Sequence, residues 1–253
     1  MNVTGAELFV KALKEERVDT LFAYPGGQAI DLFDALYGED SINVILPRHE
    51  QGLVHAADGY ARSTGKVGVC LVTSGPGATN LVTGIATANY DSVPLVCFTG
   101  QVPTGLIGKH SFQEVDIVGI TKSICKYAVI VRRREDLAEI IHKAFYLART
   151  GKPGVTVVDL PKDIQREYGS SEYPAKGKSS GHEPDHSVPD GEMKKAMALL
   201  HHAQRPVFLV GGGVHIGRAE REMQKLAEIT GVPVTTTIMG KGAIPAAHDL
   251  YIG

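Results

Sequence analysis

Between residues 4 and 17 the apolar positions recur at helical spacing: Ala6, Phe9, Val10 and Leu13 fall at i, i+3, i+4 and i+7, behind Thr4 and Glu7, which form a capping-box pattern. An amphipathic helix is predicted there. The beat then changes to short, unbroken apolar runs rich in Val and Ile at 21–24, 42–46, 67–73, 94–99, 127–131 and 155–160. Runs of this length without alternation are what strands buried on both faces look like. Helical stretches lie between most of them, at about 28–37, 48–64, 77–90 and 135–149. Strand–helix alternation builds right-handed crossovers, so the fold class is α/β: a doubly wound parallel six-stranded sheet over residues 1–163.

From 165 to 189 the hydrophobic beat stops, and Ser, Gly, Lys, Pro and His dominate a stretch too long for an ordinary loop in a compact domain. Residues 164–190 are therefore expected to link two domains. Beyond them the pattern reads helix (192–202), strand (206–210), helix (217–231) and strand (232–237), the beginning of a Rossmann-like α/β domain over 191–253. Two strands with one crossover helix cannot cover both faces of a parallel sheet, so this second domain is expected to be interrupted. Length agrees, since 253 residues make one domain plus part of another at roughly 150 residues each.

Composition narrows the class. Hydrophobic residues at 43% and charged residues at 21% exclude a disordered or fibrous chain. A net charge of -2 leaves no electrostatic footprint for nucleic acid, and the triplet Arg132, Arg133, Arg134 is expected to be a solvated loop. Cys70, Cys97 and Cys125 lie in or beside apolar runs with no C-x-x-C pair, which fits buried thiols in a reducing compartment and excludes a disulfide framework. The histidines show no metal-ligand spacing, and no apolar stretch reaches the roughly 18 residues of a membrane span, so neither a metal cage nor membrane insertion is expected. With no basic-then-apolar leader and no Arg/Ser-rich transit segment, a cytoplasmic protein is expected.

In an open α/β sheet ligands gather outside the carboxyl ends of the strands. There the sequence places Y-P-G-G at 24–27, P-R-H-E at 47–50, T-S-G-P-G-A-T-N at 73–80 and T-G-Q-V-P at 99–103. Glu50, in the first turn of a helix, has two readings: an acid favoured by the macrodipole, or a carboxylate held partly desolvated at the ligand edge for proton transfer. Arg48 and His49 read as structural or solvent-facing. Residues 74–80 could cradle a phosphate on glycine N–H groups. Asn80, however, stands where G-x-G-x-x-G needs its third glycine, and no acid ends the next strand, which argues against a nicotinamide site. Gly211, Gly212 and Gly213 are either a nucleotide turn or a plain tight turn; the strand that follows ends in Thr235, Thr236 and Thr237, with no ribose-binding carboxylate.

Taken together, F-A-Y-P-G-G at 22–27, R-H-E-Q at 48–51, A-A-D-G-Y-A-R at 56–62, L-V-T-S-G-P-G-A-T-N at 71–80, D-S-V-P at 91–94, T-G-Q-V at 99–102, I-G at 107–108, F-Q-E at 112–114 and D-L-P-K-D at 159–163 resemble the amino-terminal part of the acetolactate synthase (acetohydroxyacid synthase) family of thiamine-diphosphate enzymes. R-H-E, G-Y-A-R and S-G-P-G-A-T-N mark the wider decarboxylase superfamily. The T-G-Q-V, I-G and F-Q-E cluster, with V-P-V-T-T-T at 232–237, points to the FAD-containing acetolactate synthase branch.

The resemblance implies a pyrimidine-binding domain followed by the start of a central FAD-binding-type domain. In the family, the glutamate matching Glu50 hydrogen-bonds N1′ of the aminopyrimidine and drives its imino tautomer, whose amine removes the thiazolium C2 proton. The ylid attacks pyruvate, and after loss of carbon dioxide a hydroxyethyl carbanion adds to pyruvate or 2-ketobutyrate, the first common step of branched-chain amino-acid biosynthesis. By the same resemblance Tyr24, Pro25, Gly26, Thr73, Pro76 and Asn80 line the pyrimidine site. Gly27, Pro103, Phe112, Gln113 and Lys126 line the substrate channel. Gly211, Gly212, Gly213, Thr237, Ile238 and Met239 contact FAD in a structural role, and Lys152 stands where many members carry an FAD-contacting arginine. Mg²⁺ and the diphosphate belong to a G-D-G…Asn segment of a carboxyl-terminal domain, and no G-D-G occurs in these 253 residues. The expectation is an amino-terminal fragment, inactive by itself, of a prokaryotic homodimer or tetramer with room for a small regulatory subunit. Two other readings stay open: pyruvate oxidase or another 2-ketoacid decarboxylase, and a non-catalytic binding or dimerisation module.

Overall fold

Thr4 and Glu7 close the expected capping box: the Thr4 hydroxyl accepts from the Glu7 amide, and the Glu7 carboxylate accepts from the Thr4 amide. Helix α1 (Gly5–Glu15) starts there and buries Leu8, Phe9, Ala12 and Leu13. The structure, a computed structural model, describes residues 2–174 and 187–253, in two units, Met1–Pro184 and Asp185–Gly253.

In the first unit the six predicted runs become six parallel strands: β2 (Thr20–Ala23), β3 (Asn43–Ile45), β4 (Gly68–Val72), β5 (Leu95–Gln101), β6 (Tyr127–Ile130) and β7 (Val155–Pro161), in the order β3-β2-β4-β5-β7-β6. Successive strand residues alternate between two cores. Leu21, Val69, Leu71, Val96 and Phe98 meet α1, α2 (Ile30–Leu36) and α7 (Leu137–Arg149) on one face. Phe22, Cys70, Val72, Leu95 and Cys97 meet α3 (Glu50–Thr64) and α5 (Val82–Tyr90) on the other. On the first face Phe98 stacks edge-on to Phe9, ring centroids 4.9 Å apart. Such pairing adds roughly 1 kcal/mol to simple burial.

Several details differ from the sequence reading. The 42–46 run is an edge strand, not a buried one: Val44 and Ile45 are 40% and 39% exposed because, among the described residues, β3 pairs with β2 alone. The helix expected over 77–90 breaks at Asn80 and Leu81 into α4 (Pro76–Thr79) and α5. The linker begins later than expected: α8 (Lys162–Arg166) buries Ile164 and Gln165, and β8 (Tyr168–Ser170) pairs antiparallel with β1 (Asn2–Thr4). A ribbon held by backbone bonds carries no apolar beat for the sequence to display. The central part of the expected linker, 175–186, lies outside the described residues. Finally, Arg134 is not solvated but 2% exposed, donating to the carbonyls of Val3, Thr4, Glu167 and Ser170, so its guanidinium ties the β1–β8 ribbon down. Arg132 and Arg133 are exposed as expected. One short helix, α6 (Ile117–Thr121), was not foreseen.

In the second unit α9 (Asp190–His202), β9 (Phe208–Val210), α10 (Gly213–Ile216), α11 (Glu220–Thr230) and β10 (Val234–Thr236) follow the expected order, with α11 within the predicted 217–231 helix and the short α10 added before it. β9 and β10 pair in parallel over a core of Val210, Ala227, Val234, Ala243 and Ile244.

Candidate active site at the carboxyl edge of the sheet

Helix α3 begins at Glu50, one residue after His49, whose Nδ1 caps it by accepting from the Gln51 amide at 3.1 Å. The capping geometry turns the Glu50 carboxylate toward the turn that follows β4. There Asn80, at the end of α4, donates from Nδ2 to Glu50 Oε2 at 2.9 Å. The other oxygen, Oε1, faces Gly77, where a Cβ would sit 3.3 Å from it and 2.8 Å from the Thr73 methyl. Thr73 also fills the space against Gly26, and its Oγ1 accepts from the Gln28 amide at 3.2 Å. Three turns, after β2, before α3 and after β4, thus converge on one carboxylate. Ser74 Oγ and Gln28 Oε1 are buried there without a partner. A flat heteroaromatic ring fits such a setting: a carboxylate oxygen for a ring nitrogen, side-chain-free backbone to approach, and buried polar atoms to satisfy.

Tyr24 is half-buried and its amide continues the sheet to the Leu71 carbonyl at 2.9 Å, while Pro25, Gly27 and Pro76 are exposed around the turns. The segment from Val102 to Asp116 arches over this edge. Gly75, at φ +59°, opens α4, and a Cβ on it would lie 2.8 Å from the Gln113 carbonyl; Gln113 itself has φ +61°. Only glycine accepts both the conformation and the contact. Asp163 anchors Thr104 near Pro103, its Oδ1 accepting from the Thr104 amide at 3.0 Å. Glu114 accepts from the amides of Gly108 and Ser111, which hold its carboxyl below the usual range. Phe112 is 86% exposed on the arch. Beneath it, Asp159 is 1% exposed, accepting from Thr99 Oγ1 at 2.6 Å and Gln101 Nε2 at 2.8 Å, and burial pushes its pKa up to about 7.

The structure therefore brings together Glu50, Asn80, Thr73, Gly26 and the 112–113 arch, and it adds Lys162, to which the sequence reading gave no role. Lys162 donates from Nζ to the Gly27 carbonyl and lies 3.5 Å from Asp31. The signal was available, because Lys162 lies just past the 155–160 run, one residue beyond Pro161. Lys126 and Lys152 lie at the opposite edge, before β6 and β7. There Lys126 Nζ donates to the carbonyls of Leu147, Thr150 and Lys152, closing the end of α7, and burial lowers its pKa. Lys152 is exposed in that turn.

In the second unit the turns after β9 and β10 abut. The Thr237 amide donates to the Val210 carbonyl at 2.9 Å, and a Cβ on Gly212 would come within 3.1 Å of Met239 Cβ. Gly213 faces open space and Ile238 is 93% exposed, so a backbone-lined surface is open beside them. Among the described residues no three His, Cys, Asp or Glu side chains gather as a metal site, and no helix is long and apolar enough to cross a membrane.

Comparison with known proteins agrees with this layout. Residues 3–120 match the model of the thiamine pyrophosphate enzyme N-terminal TPP binding domain, and residues 193–253 match that of the thiamine pyrophosphate enzyme central domain. The chain is 48% identical over 254 residues to a probable acetolactate synthase large subunit of Methanococcus aeolicus, covering 99% of this chain and 42% of that protein. It is 44% identical to an acetolactate synthase of Mycobacterium bovis (99% and 41%) and 45% identical to the acetolactate synthase large subunit of Corynebacterium glutamicum (99% and 40%). It spans about two fifths of the length of these relatives.

Proposed function

The chain belongs to the thiamine pyrophosphate enzyme family, and on that premise we propose that it carries the proton-handling part of an acetolactate synthase large subunit. The observation that supports this reading best is Glu50, held by Asn80 and opening onto Gly77. Bound thiamine diphosphate supplies the electron sink for decarboxylating a 2-ketoacid. Glu50 Oε1 holds and exchanges a proton at the pyrimidine ring nitrogen, while Asn80, by occupying Oε2, fixes which oxygen does so. Thr73 sets the width between the Gly26 and Gly77 turns, and Tyr24, Pro25 and Pro76 wall the ring. Pyruvate and 2-ketobutyrate approach past Gly27, Pro103, Phe112 and Gln113. Lys126 and Lys152 take no part at this edge.

FAD, in a structural role, would lie along Gly211, Gly212, Gly213, Thr237, Ile238 and Met239. Mg²⁺ and the diphosphate would be held outside these 253 residues, by a G-D-G…Asn segment, in a cytoplasmic homodimer or tetramer serving branched-chain amino-acid synthesis, with room for a small regulatory subunit. Calorimetric titration of the chain with thiamine diphosphate is the test. We expect weak binding that drops roughly tenfold or more in Glu50→Gln, the effect of losing a charged hydrogen-bond partner. Equal affinity in wild type and variant overturns the assignment of Glu50. Supplied with thiamine diphosphate, Mg²⁺ and pyruvate, the chain by itself should form no acetolactate; measurable turnover would mean that the diphosphate site lies within it.

A further inference from the structure

Asp159 is a fully buried carboxylate at this edge that the proposed chemistry leaves unused. It is buried, and no ion pair among the described residues includes it. A carboxylate so placed destabilises the fold unless its hydrogen bonds accomplish something. One bond joins Thr99 on the neighbouring strand; the other takes Gln101 Nε2. The Gln101 amide is then fully committed: Nε2 also donates to the Val115 carbonyl at 2.9 Å, and Oε1 accepts from the Val102 amide at 2.9 Å. Val102 and Val115 are the two feet of the arch that carries Pro103, Phe112 and Gln113. A flipped Gln101 amide would set its NH₂ against the Val102 N–H and its oxygen against both Asp159 and the Val115 carbonyl, so the carboxylate and the two backbone groups together fix which way the clasp faces. From the far side of the arch, the Gln113 carbonyl packs on Gly75, the residue that opens α4, and Asn80 at the end of α4 holds Glu50.

We propose that Asp159 is a positioning residue for the Glu50 site: acting through Gln101, it fixes both feet of the 102–116 arch and thereby holds the 75–80 turn, with Asn80, against Glu50. The importance of that turn rests on the reading of Glu50 given above; the mechanical link does not. Hydrogen exchange of the 253-residue chain tests it, comparing Asp159→Asn, Asp159→Leu and Gln101→Leu with wild type. The asparagine can donate to Thr99 and accept from Gln101, so wild-type protection is expected throughout. Asp159→Leu should speed exchange in 102–116 and 75–80 roughly tenfold or more, as losing these bonds implies, and leave 137–149 unchanged. Equal behaviour of the Asn and Leu variants, or an unchanged arch, overturns the proposal. Should Asp159→Leu fail to fold, Gln101→Leu decides: the same two segments must loosen, and an arch as protected as in wild type sinks the idea. Thiamine diphosphate titration runs alongside. Loosening as expected with no binding by wild type removes the functional reading and leaves the clasp standing.

Discussion

Asp159 lies up at about 7 because burial disfavours its charge, with Asp116 adding like-sign repulsion. Between about pH 4 and pH 7 the folded chain therefore keeps a proton that the unfolded chain has released, and the slope of stability against pH is negative across that window. The stabilisation is complete below pH 4, is lost on rising to 7, and changes no further above it. Asp19, drawn down to about 2 by Lys66 and Tyr60, acts below this window with the opposite sign. Urea midpoints of the first unit should fall from pH 4 to pH 7 more steeply in wild type than in Asp159→Asn, which cannot titrate; parallel profiles would contradict the assignment. Arg134 makes the complementary prediction. Replacing it with Met keeps bulk but abandons four carbonyls, and a loss of about 3 kcal/mol or more is expected in urea unfolding, against less than about 1 if the guanidinium were dispensable.

At the scale of elements, Gly75 joins arch to turn. Gly75→Ala must accept both φ +59° and a Cβ 2.8 Å from the Gln113 carbonyl, so a loss of about 1–3 kcal/mol and faster exchange in 102–116 are expected; an alanine variant matching wild type in both would show that the contact yields. How much of this could be read from the chain divides along physical lines. The six sheet strands were legible because parallel strands buried on both faces leave unbroken Val/Ile runs, and the exceptions, exposed β3 and half-buried β6, differ through their places at the two ends of the sheet order, which no local pattern encodes. The β1–β8 ribbon was hidden because it depends on backbone pairing between distant segments and on Arg134, whose neighbours Arg132 and Arg133 do face solvent. The place of Glu50 in the first turn of a helix at the carboxyl edge was legible from the sequence. Its bond to Asn80 was not, since it spans thirty positions and arises from a helix break within an otherwise helical stretch. Lys126 and Lys162 show a cheaper signal missed: a residue before a parallel strand lies at the opposite edge from one after it.

Across the whole molecule, two of the three apolar clusters belong to the first unit, while the second is built on five buried side chains and leaves Leu209 and Ile229 more than two thirds exposed. Native-state hydrogen exchange should therefore find β4, β5 and β7 opening only globally, and α9 and β9 opening at lower free energy. One common opening energy for both units would contradict this. The β1–β8 ribbon also bears on biosynthesis. Asn2 pairs with Ser170 across nearly the whole first unit, and Arg134 binds carbonyls from both strands. At about 5–20 residues per second, a ribosome takes on the order of ten seconds or more to deliver β8 after β1. Throughout that interval β1 keeps open hydrogen-bonding groups, so a strand made before the whole six-stranded sheet is among the last to find its partner, and a chaperone or protease has long access to it.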